Sequence, residues 1–166
     1  DRIASVEALV RWHHPTRGYL SPDSFIPLAE KNDHIADMTL FVLQRTLRDL
    51  TQWHGAGIEV KAAVNISARL LISPAFFEAV GAALQVSDTS ASDLIFEVTE
   101  SATMADPAAA LRALEGYRRM GIMISLDDYG TGQSTLTYLK TLPLGELKID
   151  RSFVENAHED SSDALL

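Results

Sequence analysis

Cysteine is absent from the 166-residue chain. Disulfides are therefore excluded, as is any thiolate zinc site. Histidine is scarce, and no pair has zinc-ligand spacing: His13 and His14 are adjacent, while His34, His54 and His158 are scattered. These read as surface or helix-cap residues. No apolar run reaches the roughly 18 residues that a membrane-spanning helix needs. Basic residues are also in short supply, 14 against 23 acidic ones, for a formal charge of -9. A DNA or RNA groove needs a basic face, so this balance argues against one. An acidic protein still binds a phosphate ester where bound cations invert the local field. The opening residues, DRIASVEAL, do not resemble a signal peptide. They enter a strand with no preceding cap or turn, and the closing ENAHEDSSDALL leads into nothing. Both ends read as cuts in a larger domain. A cytoplasmic location is expected, either free or as the cytoplasmic part of a membrane-bound sensor.

What is present is an ordinary globular composition, 46% hydrophobic and 22% charged. A chain of this length buries about two-thirds of its unfolded surface. Ala4 to Trp12 reads as a strand, and HHPTRGYLSP as a loop punctuated by Pro15, Gly18 and Pro22. Asp23 to Lys31 reads as a short helix. The spacing of Ile35, Met38, Val42, Leu43, Thr46, Leu47, Leu50 and Trp53 predicts a long amphipathic helix that Gly55 and Gly57 end. Val60 to Ile66 is a strand. Ser73-Pro74 opens a helix to about Leu84, and Leu94 to Val98 is a strand. Asp106-Pro107 supplies a cap and an N1 proline for a helix that stops at Gly121. Ile122 to Leu126 is a strand, Gln133 to Lys140 a short helix, and Leu147 to Ile149 a last strand.

The order alternates strand and helix, about five strands in all, which implies an α/β fold with parallel pairing and right-handed crossovers. An open doubly wound sheet and an arc of a barrel both fit. Glu7, Asn65, Glu97, Asp127, Asp128, Lys148 and Asp150 fall at or near the C-terminal ends of several successive strands. That distribution favours a (β/α)8 TIM-like barrel, here only partly represented. An open sheet would concentrate its site at one switch point.

The chemistry centres on IMISLDDYGTG, Ile122 to Gly132, a strand that ends in two adjacent carboxylates before a glycine-rich turn. The plain reading is a solvated turn, since Asp and Gly are ordinary turn residues. With Glu7, Asn65 and Glu97, however, Asp127 and Asp128 form a set of hard oxygen donors. Such a set suits magnesium or manganese, with calcium left open. Two such ions activate a water and clamp the oxygens of an in-line displacement at phosphorus. Lys148 is placed to hold a water, offset phosphoryl charge or pair a carboxylate; a structural salt bridge is the alternative. Arg11 lies four residues beyond Glu7, so strand parity puts both on one face, and its planar fork suits a phosphate. A surface arginine is the competing reading. Glu100 reads as an acceptor for backbone N–H groups between Gly130 and Ser134. Met104, Met120, Met123, Phe76 and Phe77 read as core or helix face.

Taken together, Glu7-Ala8-Leu9 within EALVRW, HPTRGYLSP, FIPLAE, NIS at Asn65, FEVTES, SLDDYGTGQSTLTYL and LKIDRSFV resemble the EAL domain family of cyclic-di-GMP phosphodiesterases. The string covers nearly all of the chain, in the family's order. The resemblance implies a barrel that hydrolyses one phosphodiester of cyclic di-GMP to linear pGpG, with two Mg2+ or Mn2+ ions as cofactors. It implies Glu7, Asn65, Glu97, Asp127 and Asp128 as metal ligands, and Lys148, Asp128 and Glu7 as the catalytic groups. Arg11 and Asp150 would be substrate contacts, and Glu100 would steady the loop after Asp128. That loop and the following helix would also form a homodimer surface. Tyr129, Gln133, Asp33 and Gly145 depart from the family's pattern without touching a ligand position. Residues 1–166 would then be a partial domain lacking the first strand and the last two strands of the barrel, including a further glutamate near the metals. A catalytically silent cyclic-di-GMP receptor and a structural or dimerisation domain are the alternative functions.

Overall fold

The computed structural model describes residues 3–130 and 136–155. In chain order, β1 is Ser5–Ala8, β2 Trp12–His14 and β3 Gly18–Leu20; α1 is Pro22–Lys31 and α2 Ile35–Gly55. β4 (Lys61–Asn65) is followed by α3 (Ala68–Leu71) and α4 (Pro74–Gln85), and β5 (Leu94–Thr99) by α5 (Glu100–Met104) and α6 (Pro107–Met120). β6 (Met123–Tyr129), α7 (Leu136–Leu139), β7 (Glu146–Ile149) and α8 (Arg151–Glu155) follow, and a 3-10 turn at Ala91–Asp93 precedes β5. The main sheet has the order β1-β4-β5-β6-β7, with every pairing parallel. It curls through 190° as a half-barrel with open edges.

The two faces of this sheet carry different chemistry because successive strand residues point to opposite sides. On the outer face, Ala62, Val64 and Ile66, then Leu94, Phe96 and Val98, then Ile122, Ile124 and Leu126 all join one buried core. The helices cover it with Leu43, Leu47 and Leu50 from α2, Phe76 and Val80 from α4, and Ala110, Leu114 and Tyr117 from α6. The register puts Glu7, Asn65, Glu97, Ser125, Asp127 and Lys148 on the other face, inside the curl. The crossover helices are fixed by their ends. Ser73 Oγ accepts from Phe76 N at 3.3 Å, and Asp106 Oδ1 accepts from Ala109 N at 3.0 Å. Gly121, at φ 99°, closes α6 in the left-handed conformation.

Three local expectations are corrected. The first strand stops at Ala8 rather than Trp12, and the expected loop contains an antiparallel hairpin of β2 and β3. Aromatic contacts hold that hairpin: Trp12 meets Phe25 edge-on at 5.5 Å, and His13 meets Tyr19 edge-on at 4.9 Å. Pro15 and Gly18 mark its turn rather than an irregular loop, with Gly18 at φ 71°. The four- and five-residue helices α3 and α5 were not expected, because they are too short to show a period. β6 runs on to Tyr129 through an irregularity against β7 between Leu126 and Tyr129. The helix expected from Gln133 is described only over α7; residues 131–135 lie outside the described residues.

Tyr117 is fully buried against Phe77 and Phe96, and its hydroxyl has no hydrogen-bond partner among the described residues. Burial pushes its pKa above the ordinary tyrosine range. An unpaired buried hydroxyl costs about 1–3 kcal/mol. Tyr117→Phe is therefore expected to leave stability unchanged or raise it by about 1 kcal/mol in chemical denaturation. A clear loss of stability would show that the hydroxyl has a partner.

Candidate functional site

The inner rim is assembled from strand ends that neighbour one another. Asn65, at the end of β4, donates from Nδ2 to Glu7 Oε1 on β1 at 2.7 Å. Asn65 is in register with Glu97 on β5, and Thr99 is in register with Asp127 on β6. Glu97 is only 2% exposed. Its Oε1 accepts from Lys148 Nζ, which reaches over from β7, and its Oε2 has no hydrogen-bond partner among the described residues. Ser125, in register beside Glu97, is also fully buried with an unpartnered Oγ.

The electrostatics follow from this crowding. Burial pushes the Glu97 carboxyl above its ordinary range; the Lys148 hydrogen bond and charge oppose this, and Glu7 and Asp127 reinforce it. For Lys148, burial acts downward, but the Glu97 hydrogen bond and the charges of Glu97, Asp127 and Glu7 prevail and raise it. Asp128 is raised by burial, then by Asp127 and Asp150. It sits at φ 55°, a left-handed conformation that only Asn, Asp and Gly adopt with any ease. Asp150 caps α8: its Oδ1 accepts from Ser152 N at 2.9 Å and from Ser152 Oγ, and these bonds lower its pKa. Glu100 is 2% exposed and accepts from Gly130 N at 3.1 Å.

Arg11 lies beyond the end of β1, so strand parity with Glu7 does not place it. It is exposed, and its Nη1 donates to the Val10 carbonyl at 2.9 Å. It nevertheless lines a cavity of about 480 Å³ together with Asn65, Glu97 and Thr99, whose far wall is Pro22, Ile26, Ile35 and Met38 from α1 and α2. Glu30 and Ser101 also line this cavity. Neither is singled out by the sequence, because a glutamate near a helix end and a serine in the first turn of a five-residue helix carry no distinguishing pattern.

Among the described residues no three histidine or carboxylate side chains converge into a ready-made cation cage. The donor chemistry still fits a hard cation. Glu97 Oε2 is a buried, orphaned carboxylate oxygen; Asn65 uses an N–H on Glu7 and retains its amide oxygen; Asp127 adds charge within reach of Glu97. The expected homodimer surface rests largely on residues 131–135, outside the described residues. No helix among the described residues is long and apolar enough to cross a membrane.

The raised carboxyls carry a signed consequence. Glu97 and Asp128 hold their protons more tightly when folded than when unfolded. Their contribution to stability is full below the ordinary carboxylate range, about pH 4, and is lost as pH climbs through their raised values. In metal-free protein, Asp128→Asn is expected to flatten that decline, and asparagine tolerates the left-handed backbone. Unfolding midpoints measured from about pH 4 to pH 7 check this; parallel curves for both proteins contradict it.

Residues 1–166 match the EAL domain family along their whole length. The chain is 44% identical over 165 residues to the bifunctional diguanylate cyclase/cyclic di-GMP phosphodiesterase MucR of Pseudomonas aeruginosa, covering 99% of this chain and 24% of that protein. It is 45% identical over 153 residues to the cyclic di-GMP phosphodiesterase NbdA of the same organism, covering 92% of this chain and 20% of that one. The chain thus spans about a quarter or less of the length of these relatives. Among solved structures, the MucR phosphodiesterase in complex with c-di-GMP superposes with a TM-score of 0.91 at 42% identity, covering 99% of this chain and 69% of that one. With the strand-end carboxylates in place on a parallel half-barrel, the chain belongs to the EAL domain family.

Proposed function

We propose that the protein carrying this chain hydrolyses one phosphodiester bond of cyclic di-GMP to linear pGpG. Residues 1–166 would form the greater part of a barrel that further strands complete at both open edges. The observation that carries the reading is the charge imbalance at the rim. Glu7, Glu97, Asp127, Asp128 and Asp150 gather there against Lys148 and the neighbouring Arg11, and the buried Glu97 keeps an oxygen unpaired. A phosphodiester does not approach such a rim unless cations reverse its field. The similarity to phosphodiesterases of this substrate supports the same assignment.

Glu7, Asn65, Glu97, Asp127 and Asp128 would hold two Mg2+ or Mn2+ ions. When bound, these supply a water of lowered pKa and neutralise charge at phosphorus. Asn65 fixes the Glu7 carboxylate by its N–H bond, so both side chains are aimed before the substrate arrives. Lys148 keeps Glu97 oriented, and its ammonium would serve the attacking water or a phosphoryl oxygen. Arg11 offers a guanidinium fork to the phosphate from the cavity wall. Asp150 lies beside Asp128 as a further contact for the substrate, although its cap on α8 limits its reach. Glu100 anchors the turn after Asp128 through Gly130. In the reaction a P–O bond to water forms, the P–O bond to one ribose 3′-oxygen breaks, and the water's proton ends on that leaving oxygen.

Cyclic di-GMP supplied to the full-length protein with Mg2+ or Mn2+ is expected to yield pGpG by chromatography, and chelation to stop it. Glu97→Gln and Lys148→Met are each expected to lower turnover by about a hundredfold or more. Folded protein that makes no pGpG with either ion sinks the assignment. Tight nucleotide binding without turnover would establish the receptor reading instead.

A further inference from the structure

We propose that Phe153 is a positioning residue for the Asp127–Asp128 pair; this inference rests on the metal-binding reading above. Asp127 is paired with Thr99 of β5, but the pairing of β6 with β7 is irregular between Leu126 and Tyr129, so on the β7 side the ladder fixes neither aspartate and Asp128 has no regular register position. The backbone there is unusual: Asp128 has φ 55° and Gly130 φ 104°. A non-glycine residue stays left-handed only where its surroundings over-determine it.

Three contacts supply that determination. Gly130 N donates to Glu100 Oε2 at 3.1 Å, which ties the turn to α5. Asp150 N donates to the Tyr129 carbonyl at 3.1 Å, which ties it to the end of β7. The third is the Phe153 ring, pressed so closely against Gly130 that an added methyl would overlap Cε2 and Cζ. Phe153 N donates in turn to the Asp150 carbonyl at 3.1 Å. The ring and the Asp150 amide are therefore two arms of one clamp, the first turn of α8, closing on Tyr129 and Gly130. Removing the ring leaves Gly130 with its polar tie to Glu100 and without that packing contact, and the carboxylates lose their fixed aim.

Groups that orient metal ligands typically matter by about 10–100-fold in affinity. In the full-length protein, Phe153→Ala is expected to weaken Mn2+ binding about tenfold by calorimetric titration, with Phe153→Leu recovering part of the loss. Gly130→Ala, which drives the ring and the turn apart, is expected to weaken Mn2+ in the same direction. The KM for cyclic di-GMP at saturating cation is expected to stay at the wild-type value in Phe153→Leu while Mn2+ affinity falls, a split that a general loss of structure would not give. Should Phe153→Ala fail to fold, Phe153→Leu decides. Wild-type Mn2+ affinity in the folded Phe153 variants overturns the inference while leaving the proposed function intact. A wild-type protein that binds neither Mn2+ nor Mg2+ overturns both.

Discussion

The most demanding feature of this structure is a carboxylate, Glu97, placed 2% exposed on the inner face of the central strand β5. An ionised group in that position is costly unless it is paired and hydrogen-bonded. Its partner comes from two strands away. Neighbouring strands lie about 4.8 Å apart, so Lys148 must cross roughly twice that distance over β6. The β6 residue in register with Glu97 on that face is Ser125, a small side chain. The contact also constrains register. A slip of β7 by one residue would turn Lys148 to the outer, apolar face and leave Glu97 unpaired. The β6–β7 ladder is irregular here, so the ion pair fixes what the backbone pairing leaves loose.

One lysine does not settle the charge. Glu97 is still pushed upward overall, because burial and the charges of Glu7 and Asp127 exceed what Lys148 returns. Lys148 is itself raised, since three carboxylates bear on it. The rim is therefore short of positive charge even with its ion pair made. Glu97 Oε2 and Ser125 Oγ, both buried and unpartnered among the described residues, lie on the same face of adjacent strands. Both facts follow from packing alternate residues of one strand against opposite chemistries. The outer residues satisfy the core, and the inner ones concentrate polar groups with few partners.

Much of this was legible in the sequence. The alternation of strand and helix, the capping pairs Ser73-Pro74 and Asp106-Pro107, and the polar residues at strand ends all carry local signals. A barrel arc rather than an open doubly wound sheet followed from the spread of those residues over β1, β4, β5, β6 and β7. The hairpin at Trp12–Leu20 was hidden because its strands are three residues each and contain a proline-marked turn, too short for a period of two to register. Strand parity does not place Arg11, because the chain has left the sheet after Ala8. The role of Gly145 was invisible too: a side chain there would run into Met123 on β6, a contact made across the fold.

The pair Asp127-Asp128 poses a problem that alternation alone does not solve. In a regular strand consecutive side chains point to opposite faces, so one of two adjacent aspartates ought to face the apolar helices. Neither does. Asp127 lies on the inner face with Glu97 and Lys148, and Asp128 feels the charges of Asp127, Asp150 and Lys148 in its own environment. The local irregularity between Leu126 and Tyr129 breaks the period, and the left-handed backbone at Asp128 turns the chain before the second carboxylate would reach the core. Gly130 then completes the turn in a second left-handed step, tied to a buried glutamate. A departure from strand geometry over three residues is thus what lets two consecutive carboxylates serve one rim. Its backbone cost is borne where β5, α5, β7 and α8 all make contact with the same turn.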